Sequence, residues 1–319
     1  LDRSSAASDV YKRQVWVWLI LAYYFVATLL PIDKIIGRIY PLFGVALVAM
    51  ALGLLGAVIV GDYRIPELTT LHNFQLDPAR VPIVPTLFIT IACGAISGFH
   101  ATQSPLMARC VGNERACRSV FYGAMISESI IALIWAAVAM AFFGGAGELS
   151  AALGEHGGSA AWAVDTISNG MLGVVAAPIT SGDTAFRSAR LIIADMLHLE
   201  QRSKLKRFYI CIPLFAVGYW ITQVDFDVVW RYFAWTNQTL ATIVLWAIVV
   251  FLQRRRSNRW VGLLPALFMT FVCSSFLFVS DQFLGMENRT AAYACGVAVT
   301  VAVTAGMLLK LKHDAKSNS

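Results

Sequence analysis

Charge is scarce in this 319-residue chain: Asp, Glu, Lys and Arg together make up 14% of it, against roughly 25% in an ordinary soluble domain. With 58% apolar residues and a mean hydropathy of +0.67, that scarcity argues against a soluble enzyme. Also missing are a P-loop, a dinucleotide fingerprint, a zinc-binding H-E-x-x-H and a nucleophile elbow. No cofactor is implied, and a membrane enzyme ranks behind the non-enzymatic readings. The six cysteines, Cys93, Cys110, Cys117, Cys211, Cys273 and Cys295, include no C-x-x-C and no pairing with histidine at metal-site spacing. They read as reduced, buried, small apolar residues. There is also no basic tract on a polar background. The 25 Lys and Arg against 19 Asp and Glu sit between apolar runs, which excludes a nucleic-acid binder and makes them topology signals.

What the chain has instead is long apolar runs. An open sheet cannot satisfy its edge groups in lipid, so these runs are expected to be helices and the fold all-α. Nine are expected to span a lipid bilayer: Val15 to Leu30, Ile39 to Val60, Ile83 to Ile96, Ser119 to Phe143, Ala160 to Ala177, Phe208 to Thr222, Val228 to Leu252, Trp260 to Val279 and Ala291 to Leu309. Residues 1–14, Ser/Ala-rich and polar, are set aside as a non-native or disordered leader. Residues 15–310 form the transmembrane domain, and residues 311–319 a cytoplasmic tail.

Lys and Arg concentrate in alternate loops. Lys34 and Arg38 follow the first run, Arg109, Arg115 and Arg118 the third, and six more basic residues between Arg187 and Arg207 the fifth. Arg254, Arg255, Arg256 and Arg259 follow the seventh, and Lys310, Lys312 and Lys316 the ninth, while the loop GGAGELSAALGEHGG carries none. By the positive-inside rule this places the C-terminus in the cytoplasm.

Two segments break the pattern. In IACGAISGFHATQSPLMARC an apolar run stops at Ser97-Gly98, and Ser104-Pro105 reads as an N-cap with proline at the first helical position. In GVVAAPITSGDTAFRSARLIIAD, Pro178 ends one helix and Ser181, Asp183 and Thr184 offer caps for an amphipathic second one. Interrupted apolar segments are the best sequence pointer to a transporter's binding site, because unwound backbone and free helix N-termini can hold ions and anions.

The motifs SGFHATQSPLMAR, NERACRSVFYGAMISESIIALIWAA, APITSGDTAFRSARLIIAD and LPIDKIIGRIYPLFG closely resemble the carbon starvation protein A (CstA) family of bacterial inner-membrane transporters. The resemblance implies uptake of small nutrients during carbon starvation, peptides or pyruvate, with proton-driven pyruvate carriers among the close relatives. Family members are longer, so the chain is expected to be the C-terminal part of one, with upstream helices missing. The resemblance further implies kinship with the amino acid, polyamine and organocation transporters, with broken helices and inverted repeats.

Ten residues are candidates for substrate binding or ion coupling. Glu128 falls near mid-span and either carries a coupling proton or pairs structurally with a neighbouring helix. His100, just past the glycine break, either relays a proton or binds a substrate carboxylate, or simply bonds a helix-end carbonyl. Gln103 and Ser104 add neutral polar groups there. Thr180, Ser181, Asp183 and Thr184 cluster oxygens beside Pro178, for a cation, a substrate or a cap. Arg187 and Arg190 read as positive-inside anchors before carboxylate ligands. Asn237 and Gln238, consecutive amides inside an apolar span, either line a substrate path or bond between helices, the second being commoner.

The function expected from these features is a multi-pass symporter in the bacterial inner membrane, taking a peptide or pyruvate with H⁺ or Na⁺. The alternative is a membrane nutrient receptor or partner subunit that binds its ligand without translocating it.

Overall fold

A computed structural model of the chain describes residues 14–317, leaving out 16, 26–31, 68–71, 172–178, 200–203 and 225. The described residues contain no strand, so their regular structure is helical, one of the two ways a backbone can satisfy its own hydrogen bonds in lipid. Residues 1–13 of the expected leader lie outside them. The elements divide into two compact units, Leu1–Val60 with Asp165–Phe226, and Gly61–Val164 with Asp227–Ser319.

The first unit contains α1 (residues 17–25), α2 (Ile32–Val60), most of α7 (Ala160–Met171), α8 (Ile179–Met196) and α9 (Lys204–Ile221). Aromatic rings hold it together. Phe186 of α8 stacks on Phe215 of α9 with centroids 4.3 Å apart, Phe25 of α1 lies between Phe208 and Phe215, and Trp18 stacks on Tyr219 at 4.9 Å. Such pairs add about 1 kcal/mol each beyond the area they bury. Gly218 makes room for them, since a Cβ there would sit 2.8 Å from the Phe186 ring.

The second unit is built on α11 (Trp260–Val279), whose buried residues run from Gly262 to Val279. The unit also contains α3 (Ile83–Ala95), α4 (Gly98–Cys110), α5 (Ala124–Phe143), α6 (Ala146–Glu155), α10 (Phe226–Arg254) and α12 (Arg289–Ser317). A cluster of Ile89, Ala92, Ala234, Met269, Val272, Cys273 and Phe276 joins α3, α10 and α11, and a second of Trp246, Val249, Leu263, Ala266 and Leu311 joins α10, α11 and α12. Ser274 Oγ donates to Gly296 O at 3.1 Å while Leu311 meets Leu263, so α11 and α12 run antiparallel. A Cβ on Gly296 would collide with Ser275 Oγ. Small residues give this close approach its stability, because apolar burial alone drives no association in lipid.

Among the described residues, four helices are long and apolar enough to cross a membrane: Glu114–Phe143, Val229–Arg254, Trp260–Val279 and Arg289–Leu311, with shorter apolar stretches at Gly44–Val60 and Ile83–Ala92. Of the nine expected spans, those starting at Ile83 and Phe208 fall short for identifiable reasons. The apolar part of α3 is half a span that breaks and continues into polar α4, and α9 spends its first turn on Lys204, Lys206 and Arg207, leaving it shorter than the roughly 20 apolar residues a crossing takes. Two further expectations need correction. The basic-free loop after α5 is a helix, α6, set off by Gly144, which closes α5 at φ 87° in the left-handed region. Ser104 is not an N-cap but lies inside α4, because the chain re-enters the helix at once after the break at Ser97.

Candidate functional site

The break between α3 and α4 is held by side chains from its own first turn and from α10. Ile96 leaves helical geometry at φ −138°, ψ 76°, and Ser97 is extended. Ser97 Oγ accepts from Phe99 N–H at 3.2 Å and His100 Nδ1 accepts from Ser97 N–H at 3.4 Å, a reciprocal capping box. Pro105 lies eight residues into α4 and is accommodated by the helix. Thr102 Oγ1 donates to Phe99 O at 2.8 Å.

Asn237, the twelfth residue of α10 and buried, completes the junction. Its Oδ1 accepts from Phe99 N–H at 3.0 Å and lies 3.2 Å from Ser97 Oγ, and its Nδ2 donates to Ser97 Oγ at 2.9 Å. Glycine at position 98 is required by the same approach, since a Cβ there would lie 2.5 Å from the Asn237 carbonyl oxygen and 2.9 Å from Leu240 Cβ. One amide thus takes up donors that the first turn of α4 cannot satisfy within the helix.

Gln238 is fully buried beside it. Its Nε2 donates to Ile89 O of α3 at 3.3 Å, and its Oε1 finds no donor among the described residues. Turning the amide over would set Oε1 against Ile89 O, acceptor against acceptor, so the orientation is determined. A buried acceptor without a donor is destabilising by about 1–3 kcal/mol. Gln238→Met, of similar length, is therefore expected to leave the melting temperature in detergent unchanged or to raise it, by up to about 1 kcal/mol; a clear fall would mean that the single bond to Ile89 outweighs the orphaned oxygen. A polar seam continues along α10 and α11: Thr242 Oγ1 lies 3.5 Å from Cys273 Sγ, and Trp246 Nε1 donates to Thr270 Oγ1 at 3.0 Å.

His100 belongs to this junction through its bond to Ser97, and the other candidates are placed apart from it. His100, Gln103 and Ser104 lie half-buried along α4. Glu128 is exposed on α5, the fifteenth of thirty residues in the span Glu114–Phe143. Its helix is preceded by a π-helical segment, Arg118–Gly123, an irregularity frequent at functional sites. The backbone of Thr180, Ser181, Asp183 and Thr184 is helical within α8, and their side chains lie outside the described residues.

Sequence reading missed Ser97 and misjudged Arg190. Ser97 is the N-cap and the partner of Asn237, a role signalled only by its place before glycine. Arg190 was expected to be a surface anchor, yet only 4% of it is exposed, and Ser188, two residues before it, is buried as well. A guanidinium kept from water this thoroughly is a candidate for charge recognition. Among the described residues no group of three or more His, Cys, Asp or Glu could hold a metal ion.

Apolar helices of membrane-spanning length, close packing on small residues and a buried amide network at a helix break define an integral, all-helical membrane protein. The chain belongs to the CstA family: the family model described as "Carbon starvation protein CstA" matches residues 3–178, over half the chain. It is 49% identical to an "Uncharacterized membrane protein" of Haemophilus influenzae over 40% of this chain and 39% of that one. It is 26% identical to the "Peptide transporter CstA" of Escherichia coli over 78% of this chain and 47% of that one. It is 33% identical to the "Pyruvate/proton symporter BtsT" of Escherichia coli over 39% of this chain and 18% of that one. The chain thus covers less than half of each of these three relatives. No solved structure matches it.

Proposed function

We propose that this chain is part of a secondary active transporter that moves a small carboxylate-bearing nutrient, a peptide or pyruvate, into the cell together with a proton. The observation that carries the reading is the α3–α4 break, where Asn237 of α10 meets the unwound backbone while Gln238 beside it reaches Ile89 of α3 and keeps one buried acceptor without a donor among the described residues. Discontinuous helices beside buried amides are where transporters hold ions and substrates, because the broken ends leave backbone groups for a ligand. The names of the relatives, a peptide transporter and a pyruvate/proton symporter, support the same class of cargo and a proton over Na⁺.

In this reading the chain lies in the bacterial inner membrane with its C-terminus in the cytoplasm, and further crossings beyond the four long helices bring the number towards nine. Glu128, at the midpoint of its span, takes up and releases the coupling proton, and Arg190 with the hydroxyls of Thr180, Ser181 and Thr184 recognises carboxylates. Kinship with the amino acid, polyamine and organocation transporters fits the broken helix.

The test is uptake of labelled pyruvate and of a labelled dipeptide by cells lacking their own carriers, with and without a protonophore. Accumulation is expected to collapse with the protonophore, and to fall at least tenfold in Glu128→Gln, the range expected for loss of a proton-transfer group. Gln238→Met, made at full level in the membrane, is expected to lose uptake while keeping its fold. Ligand binding without accumulation in expressing cells would replace the transporter with a receptor.

A further inference from the structure

The α10–α11 turn carries Arg254, Arg255, Arg256 and Arg259 within six residues, and the chain has no carboxylate between Asp227 and Asp281. It joins two candidate membrane spans, Val229–Arg254 and Trp260–Val279, so its side chains project where spans meet the bilayer surface. Phe251 and Trp260, each 56% exposed, flank it at that level, as aromatic residues do at a membrane interface. The antiparallel packing of α12 on α11, with Leu311 against Leu263 and Ala266, brings the exposed Lys310 to the same end.

The turn holds these cations in defined places. Arg255 N–H donates to Phe251 O at 3.0 Å, Arg256 N–H to Gln253 O at 3.1 Å and Ser257 N–H to Leu252 O at 2.9 Å. The Arg255 guanidinium lies over the Phe251 ring, 5.5 Å from its centroid, and Arg259 Nη1 donates to Gln253 Oε1 at 2.9 Å. Arg256 sits at φ 54°, the left-handed position that normally falls to glycine or asparagine at a helix end. Neither Arg255 nor Arg256 is in an ion pair with a carboxylate among the described residues.

A purely topological role asks only for positive charge near the span, which Lys on any backbone supplies. It does not explain guanidinium at all four positions, nor a side chain at the one place where glycine is at ease. Guanidinium suits the paired oxygens of a phosphodiester. We propose that this end of the second unit is a binding site for the phosphate headgroup of an anionic phospholipid, with Arg255 and Arg256 as its main ligands and Lys310 at its edge. The proposal is independent of what the protein transports.

The test uses the full chain in nanodiscs of phosphatidylcholine, with or without phosphatidylglycerol, and reads the lipid retained after transfer to detergent by native mass spectrometry. Phosphatidylglycerol is expected to be retained in preference. At about 1 kcal/mol per arginine near the surface, Arg255→Gln with Arg256→Gln lowers that retention about thirtyfold. Arg256→Gly, which the turn tolerates without strain, lowers it about fivefold. Arg80→Gln, a single charge removed beside Asp281 at the other end of α11, leaves it unchanged. Equal retention of both lipids, an equal fall in Arg80→Gln and Arg256→Gly, or displacement of the lipid by inorganic phosphate would each overturn the proposal.

Discussion

Alanine at position 98 is expected to destabilise the protein by about 3 kcal/mol, the upper range for forcing atoms into a packed interior. The added Cβ would lie 2.5 Å from a backbone oxygen of α10 and 2.9 Å from Leu240 Cβ, and neither can turn aside as the end of a flexible side chain would. Relief requires α4 to move away from α10, which breaks the bonds from Asn237 to Ser97 and Phe99 together. Gly94 of α3 is the control. Nothing lies within 4 Å of a Cβ built there, so Gly94→Ala removes a flexible residue from a helix interior and is expected to stabilise by up to about 1 kcal/mol. Thermal unfolding of the two variants in one detergent is expected to move in opposite directions. A shift of the same sign in both would mean that α4 and α10 do not approach this closely.

Asn237→Leu is expected to act at the same place by a different route. Leucine fills a similar volume but accepts nothing, so Phe99 N–H and Ser97 Oγ lose a buried partner. Hydrogen bonds between membrane helices are modest, near 1 kcal/mol each, and Phe99 N–H keeps its bond to Ser97 Oγ, so the expected loss is about 1–2 kcal/mol. A double-mutant cycle separates the contributions of the two side chains. Ser97→Ala alone is expected to lose about 1 kcal/mol as an N-cap. Because Ser97 and Asn237 share their bonds, the pair of changes is expected to fall short of the sum by about 1 kcal/mol. Additive effects in the unfolding measurement would mean that the two side chains act independently.

Some elements were legible because one physical rule decides them. The bounds read for α11, Trp260 to Val279, are those found, since an unbroken apolar run between Arg259 and a short polar loop leaves little choice. The break after Ile96 was legible from Ser97-Gly98. The restart was misplaced because Ser104-Pro105 has the local form of a helix start, whereas the actual cap depends on Asn237, 140 residues away in the sequence. Helix α6 was hidden by flanking glycines, which local propensity reads as loop. Its Gly154 lies where an added Cβ would meet the Leu76 side chain, a contact that no local pattern announces.

The candidate residues divide along the same line. Spacing alone could select Asn237 and Gln238 as polar groups in an apolar helix, but it treated them alike. The structure separates them: Asn237 is saturated by the junction, and Gln238 keeps an oxygen without a donor among the described residues. Likewise four arginines in one turn are visible to any reader, but the left-handed backbone of Arg256 and the arrival of Lys310 from α12 are not.

Scarce charge and long, continuous apolar runs by themselves determined that this chain is helical and belongs in a membrane, because a barrel's strands would alternate apolar with polar residues and an open sheet would leave its edges unsatisfied in lipid. Motifs spread along the chain determined its family. Only the tertiary structure decided where the broken helix restarts, which amide is spent on holding it and which glycine must stay bare. Those depend on distances of about 3 Å between helices far apart in sequence, set by the packing of side chains.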